Sequence, residues 1–190
     1  MKSVEIELRW KDVESVSGTA YCFPSELSRY LKSHYDKPGI YRWAVLNSEE
    51  RLVEAYVGET ESVCKRLYQY LRPGKKQQTN FRLKAELDRR VASGLNPRFQ
   101  TLEFEHFRIN GLLVDPTSLG NPHVRKLLEA LAVNENRCIG CKVLNAGEDR
   151  LVKRLSRTVL SLVPEKKAAF LDEVRGILES RAAASGTERG

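Results

Sequence analysis

Residues 37–60 read KPGIYRWAVLNSEERLVEAYVGET. Two runs within them, GIYRWAVL (39–46) and LVEAYVG (52–58), are rich in β-branched and aromatic side chains, and only the polar stretch NSEER (47–51) lies between them. Runs of this kind joined by so short a connector fold most simply as an antiparallel hairpin. Side chains alternate along a strand, so Tyr41 shares a face with Trp43 and Val45, while Tyr56 shares one with Glu54 and Leu52. In a hairpin both hydroxyls can project from the same side of the sheet. Tyrosine also packs well in strands, so the pair alone does not separate core filling from chemistry.

The segment that follows adds a second constraint. Val63, Arg66, Leu67 and Tyr70 recur at i, i+3, i+4 and i+7, which predicts a helix from about Glu61 to Leu71 with Thr60 as its N-cap. That stripe should face the sheet. An arginine within it needs an anionic partner, because burying an unpaired guanidinium costs several kcal/mol. Glu54 and Glu59 are the nearby carboxylates, and a phosphate, which a guanidinium grips bidentately, serves equally well. Charge placement bears on this choice. Between Lys65 and Arg98 there are ten basic residues and only Glu86 and Asp88 to oppose them, so this third of the chain carries +8 of a net +7. A solvated helical face is the simplest use of such a run. A polyphosphate partner is the other, since each neutralised phosphate releases counterions.

Elsewhere, Val4, Ile6, Leu8 and Trp10 alternate as in a strand, and Pro24 stands where a helix bearing Leu27, Tyr30 and Leu31 would open. A basic loop (72–80) leads to a helix from about Asn80 to Ala92, a third strand (99–109) and a loop (110–122). Asn121 caps and Pro122 opens a further helix, through about Val133. Leu151 to Leu162 and Phe170 to Leu178 form two amphipathic helices broken at Pro164. The order from residue 39 is β-β-α-α-β-α. It predicts an α+β fold with a small three-stranded antiparallel sheet flanked by helices. Residues 1–37 form an N-terminal strand and helix extension packed on the core, 38–146 the main domain, 147–180 a C-terminal helical pair and 181–190 a disordered tail. No apolar run approaches the ~20 residues that span a bilayer, and the N-terminus lacks a signal-peptide core, which places the protein in the cytoplasm with no membrane partner. Of four cysteines only Cys138 and Cys141 form a C-x-x-C, and the three histidines supply no zinc spacing. The cysteines read as reduced, mostly structural thiols.

Taken in order, Gly39-Ile40-Tyr41, Tyr56-Val57-Gly58, Arg66, Tyr70, Glu129 within LLEAL and Asn145 resemble the GIY-YIG nuclease family over about residues 38–146. Two features depart from its pattern. Glu59 follows Gly58, where many members carry a lysine or a neutral residue, and the long interval to Glu129 implies an elaborated middle around 94–120. Glu129 lies off the apolar stripe of Val124, Leu127, Leu128 and Leu131, so an Arg125–Glu129 surface pair is its structural alternative, and Glu135 is a second carboxylate near that register.

The resemblance implies a DNA endonuclease that uses one Mg²⁺, or another divalent cation such as Mn²⁺, and leaves 5′-phosphate and 3′-hydroxyl ends. Glu129 would be the metal carboxylate and Arg66 would neutralise charge on the scissile phosphate. Tyr41 or Tyr56 would handle the attacking water, with Tyr70 bonded to that water or to a phosphate. Gly39, Gly58 and Asn145 complete the motif as structural positions. Arg72, Lys75, Lys76, Asn80 and Arg82 are the candidate DNA contacts, and amide side chains in that loop suit base edges. The competing reading is a non-catalytic nucleic-acid-binding module on the same fold. For the C-terminal helices, packing on the core competes with a homodimer seam.

Overall fold

The computed structural model describes residues 8–109 and 112–145. The expected strand residues Val4 and Ile6, the helical pair at 147–180 and the tail at 181–190 lie outside them. The elements are β1 (Arg9–Asp12), α1 (Arg29–His34), β2 (Gly39–Leu46), β3 (Leu52–Thr60), α2 (Val63–Leu71), α3 (Gln78–Ala92), β4 (Asn96–Glu103), β5 (Phe107–Ile109), β6 (Leu112–Val114), α4 (Pro122–Cys138) and β7 (Lys142–Val143). The fold is α+β. Its main sheet is mixed and five-stranded, in the order β1-β4-β2-β3-β7, and β5 and β6 form a separate pair.

The sheet therefore exceeds the three strands expected. β2, β3 and β4 do form an antiparallel core, but β1 pairs antiparallel with β4 (Trp10 opposite Leu102), and β7 joins the far edge parallel to β3. Two-residue β7 is too short to show any periodicity in sequence. The N-terminal segment is likewise an edge strand of this sheet plus core residues, with Tyr21 and Phe23 packed on Trp43. The strand expected over 99–109 stops at Glu103, and Phe107–Ile109 turns instead onto Leu112–Val114. The loop expected over 110–122 holds β6 and a short 3-10 helix, Pro116–Gly120. Asp115 caps that helix by accepting from the Ser118 amide while Ser118 bonds back to the Asp115 amide.

Two helix starts also differ from expectation, and side-chain bonds explain both. Pro24 does not open α1, because the Tyr21 hydroxyl donates to the Ser25 carbonyl and holds that stretch in a turn; Ser28 caps the helix by accepting from Leu31. Thr60 stays in β3, and Ser62 caps α2 by accepting from the Lys65 amide at 3.1 Å.

The sheet separates two apolar layers. One packs Tyr41, Trp43, Val45 and Phe99 against the N-terminal segment, α2 and α3. The other packs Ile40, Val57 and Leu102 against α4. The first is an aromatic cluster: Tyr41 stacks on Phe99 at 5.1 Å between ring centroids, and Trp43 meets Phe99 edge-on at 4.8 Å. Each such pair contributes about 0.5–1.5 kcal/mol beyond its buried area, and together they fix the Tyr41 ring. On the opposite layer Arg42 lies over the Trp10 ring and donates to Gln100 and Asn136, which ties β1, β2, β4 and α4 together. Among the described residues no helix is long and apolar enough to cross a membrane.

Candidate active site

The β2–β3 register places Tyr41 opposite Gly58 and Trp43 opposite Tyr56. Both tyrosines therefore occupy one face, the face that α2 covers. The inward stripe of α2 brings Arg66 and Tyr70 onto them. The Arg66 Nε donates to the Tyr41 hydroxyl at 2.8 Å, and the Tyr41 and Tyr70 hydroxyls share a 2.6 Å hydrogen bond. The Arg66 guanidinium also lies 4.8 Å from the centre of the Tyr70 ring and donates to Gln69, one helical turn on.

Two glycines permit this approach. A Cβ on Gly39 would sit 2.9 Å from a Val63 methyl, so glycine lets the start of α2 come down on the hairpin. A Cβ on Gly58 would sit 2.5 Å from the Tyr41 Cζ. The Tyr41 ring thus lies across the space that Gly58 leaves empty.

Neither glutamate weighed as a partner for Arg66 pairs with it. Glu54 takes two bonds from Arg90 and one from Lys142; burial alone would raise its pKa, but those cations outweigh burial and hold it below the ordinary carboxylate value. Glu59 lies on the other face and accepts from Arg125 at 2.8 Å. Arg125 is 3% exposed and also donates to the carbonyls of Leu119 and Gly120. Glu59 is thus the counter-ion of a buried arginine on α4. Among the described residues the Arg66 guanidinium makes no ion pair, and its hydrogen-bond partners are neutral.

A cavity of about 740 Å³ opens beside this cluster. Among the described residues β7 covers β3 only at Glu54 and Ala55, and groups from both layers reach the opening beyond Val57. Tyr41, Tyr56, Arg66, Glu129 and Asn145 all line it. The five come from β2, β3, α2, α4 and the segment after β7. Glu129 is buried in α4 rather than on its surface, and the alternative Arg125–Glu129 pairing gives way to Arg125–Glu59. α4 buries residues around most of its circumference, which is why its apolar stripe does not mark the functional side. Glu135 accepts from the Trp10 indole, away from the cavity.

Asn145 does the work of one more strand residue. Its Oδ1 accepts from the Val57 amide at 2.8 Å and its Nδ2 donates to the Val57 carbonyl at 2.6 Å. Asn145→Asp keeps the size and the acceptor but replaces the donor with a second acceptor facing a carbonyl. Stability measured by urea unfolding at neutral pH is expected to fall by about 1–3 kcal/mol. The deficit should shrink as pH drops through the carboxylate range, where the protonated acid donates again. An aspartate variant as stable as the parent at neutral pH would contradict this role.

The hydroxyls differ in environment. Tyr41 is wholly buried, and burial first, then neighbouring Tyr56, raises its pKa above the ordinary phenol value against the opposing pull of Arg66 and the Tyr70 bond. Tyr70 is buried beside it, and its pKa is raised for the same first reason. Tyr56 is only partly buried.

The basic residues divide. Lys76, Asn80 and Arg82 line the cavity with the first turn of α3. Asn80 is 2% exposed and donates its amide to Gln77, so it shapes the wall. Arg72 lies instead on a neighbouring groove along α2, and exposed Lys75 lines neither space. Gln69 escaped the sequence reading, although its position three residues after Arg66 is the signal for a same-face contact.

A single buried carboxylate suits a small, hard cation that takes oxygen ligands and keeps most of its waters. Of the described residues two carboxylates line the cavity, Glu59, which Arg125 holds, and buried Glu129. Glu129 beside a pocket able to admit a phosphate offers such a donor. Among the described residues no three His, Cys, Asp or Glu side chains cluster to make a fuller cage. Cys138 and Cys141 are free thiols, and burial pushes that of Cys141 up to about 11. No protein-family model, curated protein or solved structure matches the chain.

Proposed function

We propose that this chain is a metal-dependent endonuclease of the GIY-YIG type that hydrolyses DNA phosphodiester bonds. The observation that carries the reading is the convergence of Tyr41, Tyr56, Arg66 and Glu129 on one cavity from four separate elements. In this reading the β4-β2-β3 core corresponds to the family's three-stranded sheet, and β1 and β7 are additions to its edges.

The roles follow from the environments. Arg66 meets the scissile phosphate: it is half-buried, pinned at Nε by Tyr41, and unpaired with any carboxylate among the described residues. Its remaining N–H groups are what a phosphorane oxygen needs from a preorganised donor. Tyr41 acts as a positioning residue, since its hydroxyl is engaged with Arg66 and Tyr70 and its raised pKa disfavours a phenolate. Tyr56 is then the hydroxyl that orients the attacking water. Glu129 would hold the Mg²⁺ or Mn²⁺, which when bound supplies a Lewis acid beside the leaving 3′ oxygen. Lys76 and Arg82 face the same opening and suit flanking phosphates.

Supercoiled plasmid incubated with the full chain should be nicked or linearised in Mg²⁺ or Mn²⁺ and left intact in EDTA. The new ends should carry 5′-phosphates that a ligase accepts. Equal cleavage in EDTA would overturn the metal assignment. DNA binding without cleavage in either cation would assign the fold to a non-catalytic binding module.

A further inference from the structure

The outer face of α2 carries a second basic surface that the proposed chemistry does not use. Lys65, Tyr68 and the C-cap residue Arg72 recur at i, i+3 and i+7, opposite the inward stripe of Arg66 and Tyr70. Tyr68 is 47% exposed, whereas Tyr70 is wholly buried. The Arg72 guanidinium stands 5.9 Å from the Tyr68 ring centre. Lys32, from α1, and Lys65 join them along a groove of about 590 Å³. The acidic residue in the groove wall, Asp36, accepts a hydrogen bond from the Ser62 hydroxyl at the start of α2. Positive charge around an exposed aromatic ring is the composition that binds single-stranded nucleic acid: cations track the phosphates and the ring stacks on a base.

The groove also adjoins the catalytic cavity. Gln77 lines both, and Gln69, which lines the groove, accepts from Arg66. A strand leaving the cavity past Gln77 enters the groove. Bases within a duplex already stack on each other, so an aromatic ring set in a groove wall selects a base that is not paired.

We infer that this groove takes an unpaired stretch of the DNA strand that runs through the active site, with a base stacked on Tyr68 and phosphates on Lys32, Lys65 and Arg72. The inference rests on the nuclease reading and makes it more specific. The substrate class is DNA with a single-stranded branch or extension beside a duplex.

Fluorescence anisotropy of the full chain in EDTA tests binding apart from cleavage. The probes are a short blunt duplex and the same duplex bearing an extension of about ten thymines, a length such sites accommodate. The extension is expected to tighten binding about tenfold, Tyr68→Ala to abolish that gain, and Tyr68→Phe to preserve it. Equal affinity for the two probes overturns the groove assignment and leaves the nuclease reading standing, whereas binding to neither overturns both. A Tyr68→Ala variant that loses affinity for both probes equally also overturns the groove assignment. So does sedimentation showing a dimer that Tyr68→Ala dissolves, which would give this face to a second copy of the chain.

Discussion

Arg66→Ala is expected to lower the rate of metal-dependent cleavage by about 10²- to 10³-fold, the loss typical when a preorganised donor to a developing anion is removed. The size of the effect follows from how the side chain is held. Its Nε is fixed by the Tyr41 hydroxyl and its guanidinium lies over the Tyr70 ring, so it meets a phosphate without reorganising. Stability should change far less, because Tyr41 keeps its bond to Tyr70 and the two lost hydrogen bonds, to Tyr41 and Gln69, are worth only about 1 kcal/mol each. Arg66→Lys keeps the charge but has no fork with which to hold Tyr41 and a phosphate oxygen together, so most of the loss should remain. Glu129→Gln, nearly isosteric, should lose a comparable factor and should not be rescued by raising Mg²⁺ to moderate excess. Single-turnover kinetics on a linear duplex would measure both variants free of product release. An Arg66→Ala enzyme that cuts at close to the parental rate, still requiring metal, removes Arg66 from the chemistry.

How far the sequence anticipates this site depends on how local each signal is. The β2–β3 hairpin is written in its two apolar runs and short connector, but the shared face of Tyr41 and Tyr56 is not. The Leu46–Leu52 pairing beside the connector, if continued, would set Tyr41 opposite Val57, and the register shift between Val45 and Leu46 is what brings both tyrosines to one face. The start of α4 is as local as the hairpin, because Asn121 and Pro122 are adjacent cap and first-turn residues. Arg66 stands out because a charge on an inward stripe conflicts with the pattern around it. The partners of Glu59 and Val57 are of another kind. Glu59 meets Arg125 across 66 residues, and Val57 meets Asn145 across 88. No periodicity reports such contacts. Only the ordered resemblance marks Asn145, and nothing in the sequence marks Arg125. Sheet edges are legible only in part: the two paired residues of β7 are too few to establish a period, while the alternation reaching Trp10 marks an N-terminal strand without saying that it pairs with β4. The apolar stripe of α4 does not mark Glu129, because a stripe is informative only for a helix buried on one side and α4 buries residues around most of its circumference.

Gly58→Ala should be the most damaging single-methyl change in the hairpin. The added Cβ would stand 2.5 Å from the Tyr41 Cζ and 3.0 Å from its Cε1. Gly58 does not have the positive φ that favours glycine, so the conflict is one of space rather than backbone conformation. The ring cannot easily yield. It is wholly buried, stacked on Phe99, and tied through its hydroxyl to Tyr70 and Arg66. Overpacking of this kind costs about 1–3 kcal/mol, and the rigidity on every side puts Gly58→Ala at the upper end. Whatever movement relieves the clash also moves the group that holds the Arg66 Nε, so cleavage should suffer beyond the loss of folded protein. A double-mutant cycle by urea denaturation separates ring from hydroxyl. In a Tyr41→Phe background the nearest contact, to the hydroxyl, is gone and the ring is untied from Tyr70 and Arg66, so the alanine should cost less, yet a good part should remain because Cζ and Cε1 still crowd it. In a Tyr41→Ala background the methyl enters vacated space, and the cost should largely vanish as a coupling energy between the two sites. Gly58→Ala tolerated in the parental background, with full stability and rate, would mean that the Tyr41 ring does not lie across Gly58, and the arrangement that aims Arg66 would have to be redrawn.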